Sequence, residues 1–168
     1  MIARNTCKLI MLVALLYSCK ARAQDNAVYI DSVNRYQKFV DSLVRDFTIN
    51  LASNLRHASA EYNCADGRIW GAYAELYRDA KRQVIILTWQ SSCDTVFEDK
   101  SFYFINNKIV LAMDGVFRGG KREKKYYKND ILIFEDDNWV EDAKPNDKDL
   151  AKGYDILKDL TQQLGRKL

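Results

Sequence analysis

The side chains that could carry acid–base or nucleophilic chemistry are few. His57 is the only histidine in the sequence. A histidine can act as a general base when a nucleophile lies beside it. Because no recognisable nucleophile motif accompanies His57, we interpret it as a surface or helix-end residue and predict no catalytic residue.

Carboxylates cluster near the end of the chain. Glu135, Asp136 and Asp137 are consecutive, and Glu141 and Asp142 follow shortly after. Oxygen ligands of this kind bind Ca²⁺, but their spacing does not match the loop of an EF-hand. Histidine and cysteine also cannot supply a zinc site here, since they are too few. We predict no metal and no cofactor.

The most basic stretch runs from Arg118 to Lys125. One interpretation is a patch for an anionic envelope component or an acidic partner. The other interpretation, which we favour, is a solvated hairpin whose basic side chains pair with the neighbouring carboxylates. Its glycines do not form a phosphate-binding loop. The possible binding surface combines this stretch with tyrosines that could lie on an open sheet face: Arg118, Lys121, Arg122, Lys124, Lys125, Tyr73, Tyr103 and Tyr126.

The cysteines are consistent with an exported protein. Cys7 and Cys19 lie in the N-terminal segment, which leaves Cys64 and Cys93 as a pair. An even number of cysteines in an oxidising compartment predicts a disulfide. We therefore predict a bond between Cys64 and Cys93.

The first residues resemble an export signal, with a basic start and an apolar segment over residues 9–17 that is too short to span a bilayer. Two cleavage sites fit. Residues 16–19 resemble a bacterial lipobox, in which Cys19 would be lipidated, and this alternative is slightly favoured because Cys19 closes the apolar segment. Ala21-Arg22-Ala23 resembles an ordinary signal-peptidase site before Gln24. The predicted domains are the signal, 1–23 or 1–18, and one domain over 24–168.

Export changes the charge balance. The chain has 26 basic and 23 acidic residues. Four of the basic residues belong to the signal, namely Arg4, Lys8, Lys20 and Arg22, so cleavage before Gln24 leaves 22 basic residues against 23 acidic ones. A mature domain this close to neutral gives no support for nucleic-acid binding.

Two aligned segments indicate β-hairpins. Asn106-Asn107 and Asn129-Asp130 each follow an aromatic pair and precede an apolar run, and Asn and Asp tolerate the positive φ of a two-residue turn. This register puts Phe102 opposite Leu111 and Lys124 opposite Glu135. It also gathers Phe102, Phe104, Ile109, Leu111 and Met113 on one core face.

Helices are predicted at both ends. Residues 25–54 carry an apolar stripe at helical spacing, typical of a helix laid across a sheet, with a coiled coil as the alternative. Asn146 is predicted to cap a final helix. Between them, strands at Ile69–Tyr77 and Val84–Gln90 precede the two hairpins. The fold class is therefore α+β: a long N-terminal helix packed on an antiparallel meander of about five or six strands, with a C-terminal helix.

Three resemblances follow from these segments. The Phe-Tyr-Phe-x-Asn-x-Lys-Ile hairpin behind a signal ending near a cysteine resembles small exported proteins and lipoproteins of Gram-negative bacteria. Residues 62–67 are similar to the opening of periplasmic inhibitors of C-type lysozyme. That family's Ser-Gly-x-x-Tyr segment is missing, however, and the long helix does not belong to its barrel, so this likeness is disfavoured. The helix-on-meander layout resembles cystatin-like folds, an analogy of fold that implies no function.

The expected function is that of a non-enzymatic binding or interaction domain, periplasmic or lipid-anchored in the bacterial envelope. Its partner would be an envelope protein or a polyanionic or glycan ligand, with no nucleic acid and with membrane contact only through a lipid anchor. The alternative is a small ligand-pocket protein or hydrolase, with a cavity between the N-terminal helix and the sheet. A pocket holding His57 beside a carboxylate would favour that alternative.

Overall fold

The computed structural model describes residues 2–50, 54–64, 71–93, 97–115, 123–135, 138–144 and 147–165. This part of the chain forms a helix at each end and one antiparallel sheet of eight strands, ordered as in the sequence. The elements are α1 (Ile2–Asn50), β1 (Arg56–Tyr62), β2 (Ala72–Arg78), β3 (Val84–Ser91), β4 (Glu98–Ile105), β5 (Lys108–Asp114), β6 (Glu123–Lys128), β7 (Ile131–Glu135), β8 (Asn138–Lys144) and α2 (Lys148–Gly165). The α+β class is confirmed, but five or six strands were too few, because both edge strands, β1 and β8, were not predicted.

The chain divides into two compact units, Met1–Tyr36 and Gln37–Leu168. The first unit contains the N-terminal part of α1. The second contains the rest of α1, the sheet and α2. None of the described helices is long and apolar enough to cross a membrane.

Both asparagine turns are confirmed. Asn106 and Asn107 have φ angles of 52° and 62°, and Asn129 and Asp130 have 55° and 63°. Positive φ at both central residues is the type I′ geometry, whose twist matches that of the flanking strands. The register next to each turn is also as predicted, with Phe104 opposite Ile109.

Beyond each turn, an irregularity shifts the pairing by one residue. Tyr103, not Phe102, lies opposite Leu111, and Tyr126 lies opposite Phe134. A bulge turns every residue beyond it to the other face. The single core face predicted for the first hairpin is therefore wrong, because Leu111 lies in the row of Tyr103. In the second hairpin, Glu135 pairs with Lys125 instead of Lys124 for the same reason.

A reversal at residues 79–82 between the two predicted strands would put Ala72 opposite Trp89, and the observed β2–β3 register differs from this by two residues. Ala74, not Ala72, lies opposite Trp89. The longer turn explains the shift, since the Asp79 side chain accepts hydrogen bonds from the backbone N–H groups of Lys81 and Gln83. A shift of two preserves the face of every side chain, and Ala74 still lies opposite a large residue, Trp89.

The apolar core lies between α2 and one face of the sheet, here called the α2 face. Phe102, Phe104 and Tyr127 of the sheet pack with Leu150 and Leu160 of α2. Helix and sheet approach closely at Gly153, where an added Cβ would lie 2.7 Å from Ile109 Cδ1 and 2.8 Å from Phe102 Cδ1. The C-terminal helix, rather than α1, therefore covers the principal core.

Ion pairs close the rim of this core. Lys100 Nζ lies 2.6 Å from both Asp114 and Asp149. Lys125 Nζ lies 2.8 Å from Asp149 and 3.0 Å from Glu135. These ion pairs tie α2 to strands β4–β7.

The first turn of α2 is capped by Asp147 instead of the predicted Asn146, which lies outside the described residues. Asp147 Oδ1 accepts hydrogen bonds from the N–H groups of Asp149 and Leu150. The same oxygen accepts a hydrogen bond from Tyr127 Oη at 2.6 Å. The cap therefore also fastens the helix to the sheet.

Candidate functional site

The opposite face of the sheet packs against residues 37–50 of α1 and is here called the α1 face. The Phe47 ring lies 6.0 Å from His57 and 5.9 Å from Tyr77, and Tyr103 Oη donates a hydrogen bond to Asp41 at 2.7 Å. These sheet residues belong to one row of cross-strand partners, here called the aromatic row: His57, Tyr77, Ile86, Tyr103, Leu111, Tyr126 and Phe134.

Beside the aromatic row lie two shorter rows of polar side chains. Ser59, Glu75, Thr88 and Ser101 are consecutive partners across β1–β4, and so are Glu61, Tyr73, Gln90 and Asp99. Opposite residues share a face, and residues two apart along a strand do so as well. Together these side chains form a single surface, here called the polar strip.

The polar strip is open to solvent in part. Ser59, Glu61 and Gln90 are exposed, while Tyr73, Glu75, Thr88, Asp99 and Ser101 are half-buried. This pattern differs from that of the α2 face, where large apolar side chains are fully buried. The strip therefore offers carboxylates, hydroxyls and an amide to a ligand.

Glu75 is the centre of the strip. Its Oε1 lies 3.2 Å from His57 Nε2 and accepts a hydrogen bond from Tyr73 Oη at 3.1 Å. Thr88 Oγ1 lies 3.5 Å from Oε2, which is a long contact for a hydroxyl donor. The carboxylate is thus oriented by neighbours on its own strand and on both adjoining strands.

The phenols near Glu75 are held in the protonated form. Burial, and then the charge of Glu75, raises the pKa of Tyr77 to about 12. A hydrogen bond with Ser59 lowers the pKa of Tyr73, but burial and the charges of Glu75 and Glu61 outweigh it, and the net pKa is raised. At neutral pH the strip therefore carries neutral donors beside acidic acceptors, a composition that repels polyanions.

A cleft of about 350 Å³ continues the strip at the end of the sheet that holds the disulfide. Ligand pockets typically measure about 300–1,000 Å³, so this one is small. Gly71 lines the cleft, and an added Cβ there would lie 1.6 Å from Tyr62 O, so only glycine fits. The complete lining is Glu61, Tyr62, Asn63, Gly71, Ala72, Tyr73 and Ser92.

The predicted disulfide is confirmed and stands beside this cleft. Cys64 and Cys93 are bonded, with a Cα–Cα distance of 5.2 Å across 29 residues of sequence. Cys64 follows β1 and Cys93 follows β3, so the bond reaches across the start of β2. It links the chain segments that contribute Glu61 and Ser92 to the cleft, on either side of Tyr73 in β2.

Those residues of the predicted binding surface that the structure describes are not brought together. Arg118, Lys121 and Arg122 lie outside the described residues. Lys124 and Lys125 lie on opposite faces, since their partners are Met113 and Ala112. Lys124 donates a hydrogen bond to Gln37, and Lys125 is held in the ion pairs of the α2 face. The basic-stretch hypothesis stays a prediction for the undescribed part alone.

The three predicted tyrosines divide as well. Tyr103 and Tyr126 are buried, so neither is exposed to a partner. Tyr73 is half-buried and lies in the polar strip. It is the one predicted binding residue, among those described, that lies in the candidate site.

His57 lies next to a carboxylate but serves as packing for α1. Its ring centroid is 4.7 Å from that of Tyr77, and Phe47 packs against both.

Cys19, the predicted lipidation site, lies in a segment of α1 whose side chains are outside the described part. Among the described residues, no group of three or more His, Cys, Asp or Glu side chains is placed to hold a metal ion.

Glu75, Thr88 and Gln90 were not predicted as site residues. The sequence pattern could have indicated them, because each of these residues interrupts an apolar strand at alternate positions. Such a pattern puts polar side chains on one face of a strand. Locating them together also required the correct register of β1, β2 and β3.

No family model, curated protein or solved structure matches the chain.

Proposed function

We propose that this protein is a non-enzymatic binding domain of the bacterial envelope and that the polar strip binds a neutral, polyhydroxylated ligand such as a glycan. The observation that carries the proposal is the orientation of the Glu75 carboxylate by Tyr73 and His57 on a partly open sheet face. An ordered carboxylate is a strong acceptor for sugar hydroxyls, since hydrogen bonds to charged groups are the stronger ones.

The charge of the strip narrows the ligand class. Glu61, Glu75 and Asp99 are acidic, and the polar strip as defined contains no basic residue. This argues against a polyanionic ligand, which was one of the expected partners, and in favour of a neutral one. Ser59, Thr88 and Gln90 add the mixed donors and acceptors that hydroxyl groups match.

Binding to neutral oligosaccharides on a glycan array, followed by calorimetric titration of the best one, tests the proposal. Glu75→Gln keeps the shape but removes the charge, and we expect it to weaken binding by roughly tenfold or more. Asp155→Asn is the matched control, since Asp155 is an exposed carboxylate on α2. An array with no neutral glycan bound, or equal affinity for Glu75→Gln and the parent protein, contradicts the proposal.

The contact between His57 and Glu75 favours one other candidate, a small hydrolase that uses this pair for acid–base chemistry. The described contacts of His57 are to Glu75, Phe47 and Tyr77, none of which is a serine, threonine or cysteine nucleophile. Incubating the bound oligosaccharide with the protein separates the two candidates. Cleavage seen by mass spectrometry and abolished by His57→Gln would establish the hydrolase, and an intact ligand supports the binding domain.

Export belongs to the same proposal and rests on the basic and apolar start of the sequence. The intact mass of the protein recovered from cells tests it. A chain beginning at Cys19 with added lipid mass indicates a lipoprotein, and an unmodified chain beginning at Gln24 indicates ordinary signal cleavage. Recovery of the uncleaved chain from the cytoplasm would contradict export.

A further inference from the structure

Strand β1 forms an edge of the sheet. In the part of the chain that the structure describes, it pairs with β2 and with no second strand. Arg56, His57, Ser59 and Glu61 are exposed along it. An edge strand presents backbone N–H and C=O groups that another strand can pair with.

In the described part of the chain, β1 lacks most of the features that usually protect a sheet edge. Its seven residues pair with β2 in an unbroken register, without a bulge. The strand contains no proline and no lysine, and the inward-facing positions at its middle are Ala58 and Ala60. Its charged residues, Arg56 and Glu61, lie near its two ends. Natural edges are blunted by bulges, prolines or inward-pointing charges, so this strand remains competent to pair.

The sequence of β1 is self-complementary about Ser59. Antiparallel pairing of two copies centred on Ser59 places His57 opposite Glu61 and Arg56 opposite Tyr62. Ala58 then faces Ala60, and Ser59 faces its own copy. An imidazole beside a carboxylate and a guanidinium beside an aromatic ring are both favourable cross-strand pairs.

Other registers match less well. Shifting the centre to Ala58 or Ala60 leaves the residues at one end of the strand unpaired. Only the centre at Ser59 uses all seven residues of β1, and it sets no like charges opposite each other. Such a pairing is isologous, because each copy uses the same surface and the contact closes on itself.

We propose that two copies of this chain associate through β1, joining their sheets into one continuous antiparallel sheet. The occupant of the edge is a second copy, because the charge and size pattern of β1 complements itself. The pairing also sets the two polar strips side by side, since Ser59 and Glu61 belong both to the strip and to the edge. The proposal does not depend on the nature of the ligand.

Disulfide trapping tests the pairing directly. Opposite Cβ atoms in an antiparallel pair lie about 4.5–5.5 Å apart, so Ser59→Cys should trap a covalent dimer under mild oxidation. The matched control is Lys81→Cys, an exposed position in the β2–β3 turn. Both variants are made with Cys7 and Cys19 replaced by serine. We expect roughly tenfold more covalent dimer from Ser59→Cys, because pairing raises the effective thiol concentration.

Sedimentation of the protein without added cysteines gives a second readout. We expect a dimer that dissociates on dilution over about 1–100 μM, and Glu61→Lys should weaken it by roughly tenfold through loss of the carboxylate opposite His57. A monomer at every concentration, or equal trapping at positions 59 and 81, overturns the proposal. Pairing with an extended segment of a different protein would appear as such a monomer and would equally reject the second copy as occupant.

Discussion

The two faces of the sheet are built from different kinds of contact. On the α2 face, phenylalanine and leucine side chains are fully buried, and lysine–aspartate pairs close the rim. On the α1 face, residues 37–50 of α1 touch the aromatic row, and the polar strip beside it stays partly open. The first arrangement is that of a structural core, and the second leaves polar groups oriented but accessible.

The two faces also use charged side chains differently. At the centre of the α2-face ion pairs, the side chains of Lys100 and Asp149 are largely buried, with 12% and 13% exposed. Removing Asp149 would leave two partly buried lysines with fewer partners, which is destabilising. Glu75 of the polar strip is 29% exposed, so its contacts contribute less to stability and leave it free to act on a ligand.

Acid should have the largest effect on stability, and it should act through the carboxylates of the α2 face. Burial alone would raise the pKa of Glu98, Asp147 and Asp149, but their lysine and tyrosine partners outweigh it, and the pKa of each is lowered. The hydrogen bond from Tyr154 lowers the pKa of Asp130. All four carboxylates contact α2 or lie in its first turn.

A lowered pKa in the folded state means that the unfolded chain binds more protons as the pH falls. The stabilisation from these carboxylates is therefore complete above the usual pKa values of 3.8 and 4.5 and is lost as the pH falls through the lowered ones. We expect urea-unfolding midpoints to be level near neutral pH and to drop steeply below about pH 4. A stability that does not change down to pH 2 would contradict the role given to this rim.

Asp149→Ala should have the largest effect among single substitutions of charged groups. It removes the carboxylate that Lys100 and Lys125 share, although Lys100 keeps Asp114 and Lys125 keeps Glu135. We therefore expect a loss in the lower part of the range for a broken buried pair, about 3–4 kcal/mol. In a thermal melt this corresponds to a melting temperature lowered by roughly 10 °C for a chain of this size. Asp155→Ala, at an exposed site on the same helix, is the control and should cost less than about 0.5 kcal/mol.

Removing the disulfide should have the next largest effect on stability, and this effect should be local. Replacing Cys64 and Cys93 by serine should cost about 3 kcal/mol. Hydrogen exchange should increase most in β1 and the start of β2, beside the cleft, and least in α2. Uniform loosening of both faces would show that the bond supports the whole sheet rather than its cleft end.

Phe47→Ala should give the smallest of these effects and should be confined to the α1 face. Phe47 is half-buried and packs against His57 and Tyr77, so we expect a loss of about 2 kcal/mol, below that of a fully buried phenylalanine. Exchange protection of residues 37–50 should fall, while that of α2 stays unchanged. Phe39→Ala, at a 59% exposed position on the same helix, is the control.

The sequence predicted local features well and long-range ones less well. The Asn106-Asn107 and Asn129-Asp130 turns are set by residues that tolerate positive φ, and the disulfide follows from the number of cysteines. The bulges beyond each turn have no such marker in the sequence, and each one reversed the face of the residues beyond it. Strand β1 was missed because its small and charged residues lack the apolar alternation of a buried strand.

The candidate site was the hardest part to predict. Basic residues and tyrosines were chosen by type, but burial removes Tyr103 and Tyr126, and ion pairing occupies Lys125. Glu75 acquires its importance only when β1, β2 and β3 are paired in the correct register. Of the predicted surface, Tyr73 alone among the described residues lies in the polar strip.

The most direct test of this account compares Glu75→Gln with Asp149→Ala in two assays, glycan binding and thermal unfolding. We expect Glu75→Gln to lose roughly tenfold or more in affinity with a melting temperature within about 3 °C of the parent protein. Asp149→Ala should melt much earlier yet bind normally below its transition. If Glu75→Gln bound as well as the parent protein, or melted as early as Asp149→Ala, the division of the sheet into a structural face and a binding face would be wrong.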